Sequence, residues 1–108
     1  MEEIVLFENK TQAFQVLAER AIKKIRVDKK EFGISRYADD IYVFDIACPH
    51  AAYDLTAGKT SPIGTIVCPW HNYQFRLQNG EELEERCSKL KVVKTYYNNS
   101  GNICFESW

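Results

Sequence analysis

Residues 48–71 read CPHAAYDLTAGKTSPIGTIVCPWH. This stretch holds two of the four cysteines and both histidines of the chain. Cys48-Pro49-His50 opens it and Cys68-Pro69-Trp70-His71 closes it, so each end offers one thiol and one imidazole. A thiolate is a soft anionic ligand, and an imidazole is a neutral, borderline one. Two of each can hold one Zn²⁺ tetrahedrally. They can also hold a two-iron, two-sulfide cluster, with both thiolates on one iron and both imidazoles on the other. Zinc fingers usually group their cysteines in one knuckle and their histidines in another. Here every loop brings one of each, which favours the cluster and leaves zinc as the alternative. If two loops approach from opposite sides, Cys48 and Cys68 share the buried iron, and His50 and His71 share the one nearer the tip. The proline after each cysteine stiffens the turn and removes a backbone donor. Other backbone N–H groups of the loops can then point at sulfur.

Outward from this stretch the pattern is mostly that of strands. IYVFDIA (41–47) is a dense run of β-branched and aromatic residues leading into Cys48. IKKIRV (22–27) and EFGISRY (31–37) are shorter and mixed, and Asp39-Asp40 predicts a tight turn and a hairpin. GTIVCPW carries a short strand ending at Cys68, and YQFRL (73–77) follows His71. Asn79-Gly80 is a turn signal, and EELEER (81–86) reads as a polar connection. Its acidic run fits a solvated turn better than a docking patch. LKVVKTYY and NICFESW, joined by NNSG, predict a final hairpin. NKTQAFQVLAERA (9–21) is the one clear helical pattern, with Phe14, Leu17, Ala18 and Ala21 on one face. Asn9 is placed to cap it, with Gln12 three residues on. Six or seven short strands and one helix predict a mainly β, mostly antiparallel sandwich or barrel.

The 108 residues fit one compact domain, and 45% hydrophobic residues are enough for a modest core. A net charge of −1 gives no electrostatic reason to expect nucleic acid. No run of 18 apolar residues occurs, so no membrane span is expected. MEEIVLFENK begins acidic and does not read as a secretion signal, so a cytoplasmic location is expected. Thiols stay reduced there, which makes the cysteines metal ligands or packed thiols before disulfides. Cys87 and Cys104 have no Cys or His at ligand spacing and read as packed thiols.

Cys48-Pro49-His50 with Cys68-Pro69-Trp70-His71 resembles the Rieske [2Fe-2S] motif. The likeness continues through Leu55 and Gly58, and through Phe75 and Leu77. More weakly, it extends over the flanking strands IYVFDIACPHA and LKVVKTYYNNSGNICFE. The resemblance implies a Rieske-type fold over residues 1–108, built of antiparallel sheets with one N-terminal helix. A cluster-binding subdomain at about 47–75 would be inserted in the β base. It implies one [2Fe-2S] cluster per chain, held by Cys48, His50, Cys68 and His71, with no catalytic residue and one-electron carriage as the activity.

The pattern is similar to the soluble ferredoxins that feed ring-hydroxylating oxygenases, and to the small subunit of assimilatory nitrite reductase. The partners implied are a reductase and a terminal oxygenase-like enzyme, with no nucleic acid, membrane or small-molecule substrate. An accessory redox subunit and a zinc-binding interaction domain are the alternatives. Rieske proteins of respiratory and photosynthetic complexes carry a loop disulfide at positions that are Tyr53 and Trp70 here. They also carry hydroxyl donors where this chain has Tyr73 and Phe75. Phenylalanine cannot donate, so the expected potential lies near the low end of the family's range.

Overall fold

The computed structural model describes residues 2–108. Among the described residues, ten short strands form three antiparallel sheets, accompanied by one α-helix. The first sheet joins β1 (Glu3–Phe7), β10 (Ile103–Glu106) and β9 (Tyr96–Tyr97), with β10 central. The second runs β2 (Ile22–Val27), β3 (Lys30–Tyr37), β4 (Asp40–Asp45) and β8 (Val92–Lys94) in that order. The third is a small meander of β5 (Lys59–Thr60), β6 (Thr65–Val67) and β7 (Gln74–Arg76). The helix α1 covers Lys10–Val16.

The central strand β4 explains why two cores exist. Its side chains alternate between faces, as strand geometry requires. Ile41 and Val43 enter one core, with Phe7, Leu17, Phe32, Ile34 and Phe105. Tyr42 and Phe44 enter the other, which also contains Cys48 and Cys68. Fully burying an aromatic or branched side chain contributes about 1.5–3 kcal/mol. One four-residue run therefore anchors the β base and the floor under the paired loops. Gly33 lies opposite Phe44 in the β3–β4 register, and the Phe44 ring occupies the space a Cβ would need.

The antiparallel β architecture and the single helix agree with the sequence, but several boundaries do not. The helix ends at Leu17 instead of continuing to Ala21. Arg20 takes a left-handed φ of 63°, and its N–H donates to the Arg36 carbonyl, which draws the chain into the second sheet. Ala18 is consequently exposed, while Ala13 is buried. The cap is as expected: the Asn9 side chain accepts from the Gln12 N–H at 2.8 Å. Gln12 reaches back to the N–H of Glu8.

The Asp39-Asp40 and Asn79-Gly80 turns both occur, the latter with Gly80 at φ 79°. LKVVKTYY does not act as one strand. Thr95 breaks it by binding the Ile41 carbonyl through both its N–H and its hydroxyl. β8 therefore pairs with β4, and only β9 pairs with β10. β1, unforeseen from the sequence, closes the other side of β10.

Candidate functional site

The two Cys/His loops leave the sheets in matching ways. The first follows β4, and the second joins β6 to β7. In each, the cysteine N–H donates to the carbonyl five residues on: Cys48 to Tyr53 at 2.9 Å, and Cys68 to Tyr73 at 2.8 Å. Each loop also contains left-handed residues: Ala52 at φ 57° in the first, His71 at 67° and Asn72 at 56° in the second. The base of the first loop is secured by a bridge between Ala47 and Asp54 and by a 3-10 turn at Leu55–Ala57. Asp54 caps that turn through the Thr56 N–H and meets Lys24 at 2.7 Å. Burial would raise the Asp54 pKa, but the hydrogen bonds from Lys24 and Thr56 outweigh it and hold the carboxyl below its ordinary value.

The four sequence-predicted residues meet in two pairs, Cys48 with Cys68 and His50 with His71. Cys48 and Cys68 are buried, at 2% and 0% exposure, on an apolar floor of Leu55, Ile66, Phe75, Leu77 and Leu90. Burial pushes the Cys68 thiol up; the Trp70 N–H directed at it opposes this, and the Cys48 thiol beside it adds to it. His50 and His71 are exposed, with ring centroids 5.5 Å apart. The indole N–H of Trp70 donates to Nε2 of His71 at 2.6 Å, so Nε2 rather than Nδ1 takes this contact.

The donor set fits a two-iron group. Two thiols lie paired on the inside and two imidazoles lie paired on the outside. Among the described residues, no three His, Cys, Asp or Glu side chains gather closely enough to hold a single metal ion. A tetrahedral zinc site needs four donors around one point. A two-iron cluster needs two donors at each end.

The site also contains contacts that the sequence did not indicate, made by Tyr73 and by two residues it did not single out, Glu82 and Arg86. Tyr73 stacks on His50, with ring centroids 4.0 Å apart and planes 14° apart. The guanidinium of Arg86 lies 3.9 Å from the centre of the other ring, that of Tyr73. Arg86 is gripped by Glu82 through Nε to Oε1 at 2.9 Å and Nη2 to Oε2 at 2.6 Å. The Glu82 side chain is 0% exposed, so the acidic run is not a wholly solvated turn. Its carboxylate also accepts from the N–H groups of Gln74, Glu84 and Arg86. The guanidinium hydrogen bonds, against a burial cost, bring its pKa down to about 2. The four-residue spacing of Glu82 and Arg86 was the available signal. Cys87 is half-buried and packs against the same core as the two loop cysteines. The four cysteines form no disulfide.

A family model for the Rieske [2Fe-2S] domain matches residues 7–96. The ferredoxin component of the alkene monooxygenase system of Xanthobacter autotrophicus strain Py2 is 22% identical over 82 residues. That match covers 76% of this chain and 55% of the relative, so the chain spans about half the length of the curated protein it resembles. A ferredoxin from Sphingomonas yanoikuyae B1 superposes with a TM-score of 0.77 at 18% identity, covering 98% of this chain and 99% of that one. A chain from a complex of reduced oxygenase and oxidised ferredoxin in carbazole 1,9a-dioxygenase superposes at 0.74 with 19% identity, covering 94% and 90%.

Proposed function

Because the chain belongs to the Rieske [2Fe-2S] domain family, whose domain carries a [2Fe-2S] cluster, we propose that Cys48 and Cys68 hold one iron and His50 and His71 the other. The protein then carries single electrons from a reductase to an oxygenase-like enzyme. The observation that carries this reading is the separation of the four side chains into a buried thiol pair and an exposed imidazole pair. The cluster, when bound, supplies one-electron chemistry. Residues 47–75 act as the cluster-binding unit of a single domain.

The chain's own residues supply the rest. The apolar floor beneath Cys48 and Cys68 keeps water from the sulfur end. Backbone N–H groups such as that of Trp70 offset negative charge on sulfur. His50 and His71 lie at the surface and give an electron a short exit. Ala51, Ala52 and Pro69 are exposed beside them and leave a low rim for a partner. Tyr53 and Trp70, with centroids 5.9 Å apart and planes perpendicular, brace the two loops where related proteins of other types carry a disulfide. Among the described residues no helix is long and apolar enough to cross a membrane, and a reducing cytoplasmic setting suits the free thiols.

The test is anaerobic purification with iron plentiful, followed by iron and acid-labile sulfide assay and electron paramagnetic resonance of the reduced protein. Red-brown protein with two irons and two sulfides per chain is expected. Its average g value should be lower than that of an all-thiolate cluster. Colourless protein containing zinc would overturn the reading. Stable co-purification with a larger enzyme would replace the mobile carrier by an accessory subunit.

A further inference from the structure

The packed series Glu82, Arg86, Tyr73 and His50 is more than loop packing. Glu82 is fully buried, and five hydrogen-bond contacts hold its carboxylate. Two of these fix the plane of the Arg86 guanidinium, a bidentate geometry that lysine could not reproduce. That plane lies over Tyr73, and Tyr73 lies almost parallel to His50. A cation over an aromatic face is attracted by the ring's quadrupole. The guanidinium and the imidazole thus both pack against the phenol ring. Glu84 is the other acidic partner of Arg86, at 3.5 Å, and is mostly exposed. Among the described residues no matching stack occurs at His71, which is held by the Trp70 indole. The two imidazoles are therefore supported by different chemistry.

We propose that Arg86 is a positioning residue that acts through Tyr73 to fix the ring plane of His50 and to favour the reduced state of the site. The inference rests on the proposed ligand set. One-electron reduction by the donor adds one negative charge to the site. A positive charge two stacking distances from a ligand ring stabilises that charge, by an amount that the 33% exposure of the Arg86 side chain and its pairing with Glu82 reduce but do not cancel, because Arg86 lies on the side of Glu82 that faces the ring. The buried Glu82 keeps the cation in place. The flat stack restricts rotation of the imidazole, and so the orientation of its lone pair toward iron.

The test compares Arg86→Gln, Arg86→Lys and Tyr73→Leu with the parent. Each is first assayed for iron and sulfide, so that failure of the ligand assignment is seen in the parent before any variant is read. Midpoint potentials are then measured by spectroelectrochemistry. Pulsed electron paramagnetic resonance of the reduced protein resolves the nitrogen couplings of the two imidazoles. Arg86→Gln should have a lower potential than the parent, and Arg86→Lys, which keeps the charge, should recover most of the difference. Tyr73→Leu should shift one nitrogen coupling and leave the other in place.

An Arg86→Gln protein with intact cluster and unchanged potential overturns the proposal. So does a Tyr73→Leu protein whose couplings are both unmoved or move together. If Arg86→Gln retains no cluster, Arg86→Lys and Tyr73→Leu decide. A parental potential in Arg86→Lys with one shifted coupling in Tyr73→Leu supports the role, and any other combination removes it.

Discussion

Gly58 lies so close to the backbone carbonyl of Val67 that a Cβ at Gly58 would overlap that oxygen. The ring of Pro69 stands 3.2 Å from the same point. Gly58 ends the first loop, and Val67 directly precedes Cys68, so this approach sets how near the two loops come. Gly58→Ala must push them apart. Overpacking of this kind costs about 1–3 kcal/mol. The expected outcome is a lower melting temperature together with less iron per chain, measured on protein purified anaerobically beside the parent.

His71→Ala removes one of two nitrogen donors and should strip the visible spectrum, because one iron is left with too few ligands. Trp70→Phe removes the indole N–H that meets Nε2 of His71 and trims the ring that packs on Tyr53, while keeping an aromatic there. It should keep the cluster, since both ring nitrogens of His71 remain. Visible absorption and iron content of the two proteins separate a ligand from its support.

Cys87 packs against the core that carries Cys48 and Cys68, yet it stands outside the paired loops. Burial is the main reason its thiol is raised above the ordinary value, with the Cys48 thiol adding to it. A raised pKa is what a packed, neutral thiol shows. Cys87→Ser should therefore leave the visible spectrum intact and cost on the order of 1 kcal/mol, since a half-buried hydroxyl can still reach water. A colourless Cys87→Ser protein would make this residue a ligand.

The legible parts of this protein were those written locally. The Cys-Pro-His and Cys-Pro-Trp-His loops, the Asn9 cap and the turns at Asp39-Asp40 and Asn79-Gly80 each depend on a few adjacent residues. Burial of the thiols and exposure of the imidazoles followed from the loop reading. What stayed hidden depends on distant partners. α1 stops early because Arg20 and Arg36 meet, and LKVVKTYY divides because Thr95 binds the Ile41 carbonyl. EELEER looked solvated because five of its six residues are charged or acidic neighbours in one run. The four-residue spacing of Glu82 and Arg86 allowed the pair, but nothing local indicates that Glu82 is the one carboxylate of the run to turn inward.

The potential should lie toward the low end of a family range of roughly −150 to +300 mV. Phe75 is fully buried on the floor and has no hydroxyl to donate. Tyr73 presents its ring face to His50. Fewer hydrogen bonds to the cluster leave its more negative state less stabilised. Spectroelectrochemical titration measures this directly, and a value near the upper end would contradict the donor argument.

Glu82 sets a specific acid limit on stability. Its carboxyl falls from an ordinary value of 4.5 to about 2 in the folded protein, chiefly through the Arg86 hydrogen bonds and against the burial cost. A folded-state pKa below the unfolded one means that the unfolded chain takes up a proton first as pH falls. The stabilisation is therefore complete above pH 4.5 and is lost as pH drops from there through about 2. Glu82→Gln removes the charge at every pH and leaves buried hydrogen bonds weakened, at a cost of about 1–3 kcal/mol near neutrality. Denaturant unfolding at a series of pH values should show the parent and variant far apart at pH 7 and converging in acid. Glu84→Gln, altering a side chain 71% exposed, should follow the parent closely. A constant gap between parent and Glu82→Gln down to pH 2 would mean that the Glu82 charge contributes nothing and only its shape matters.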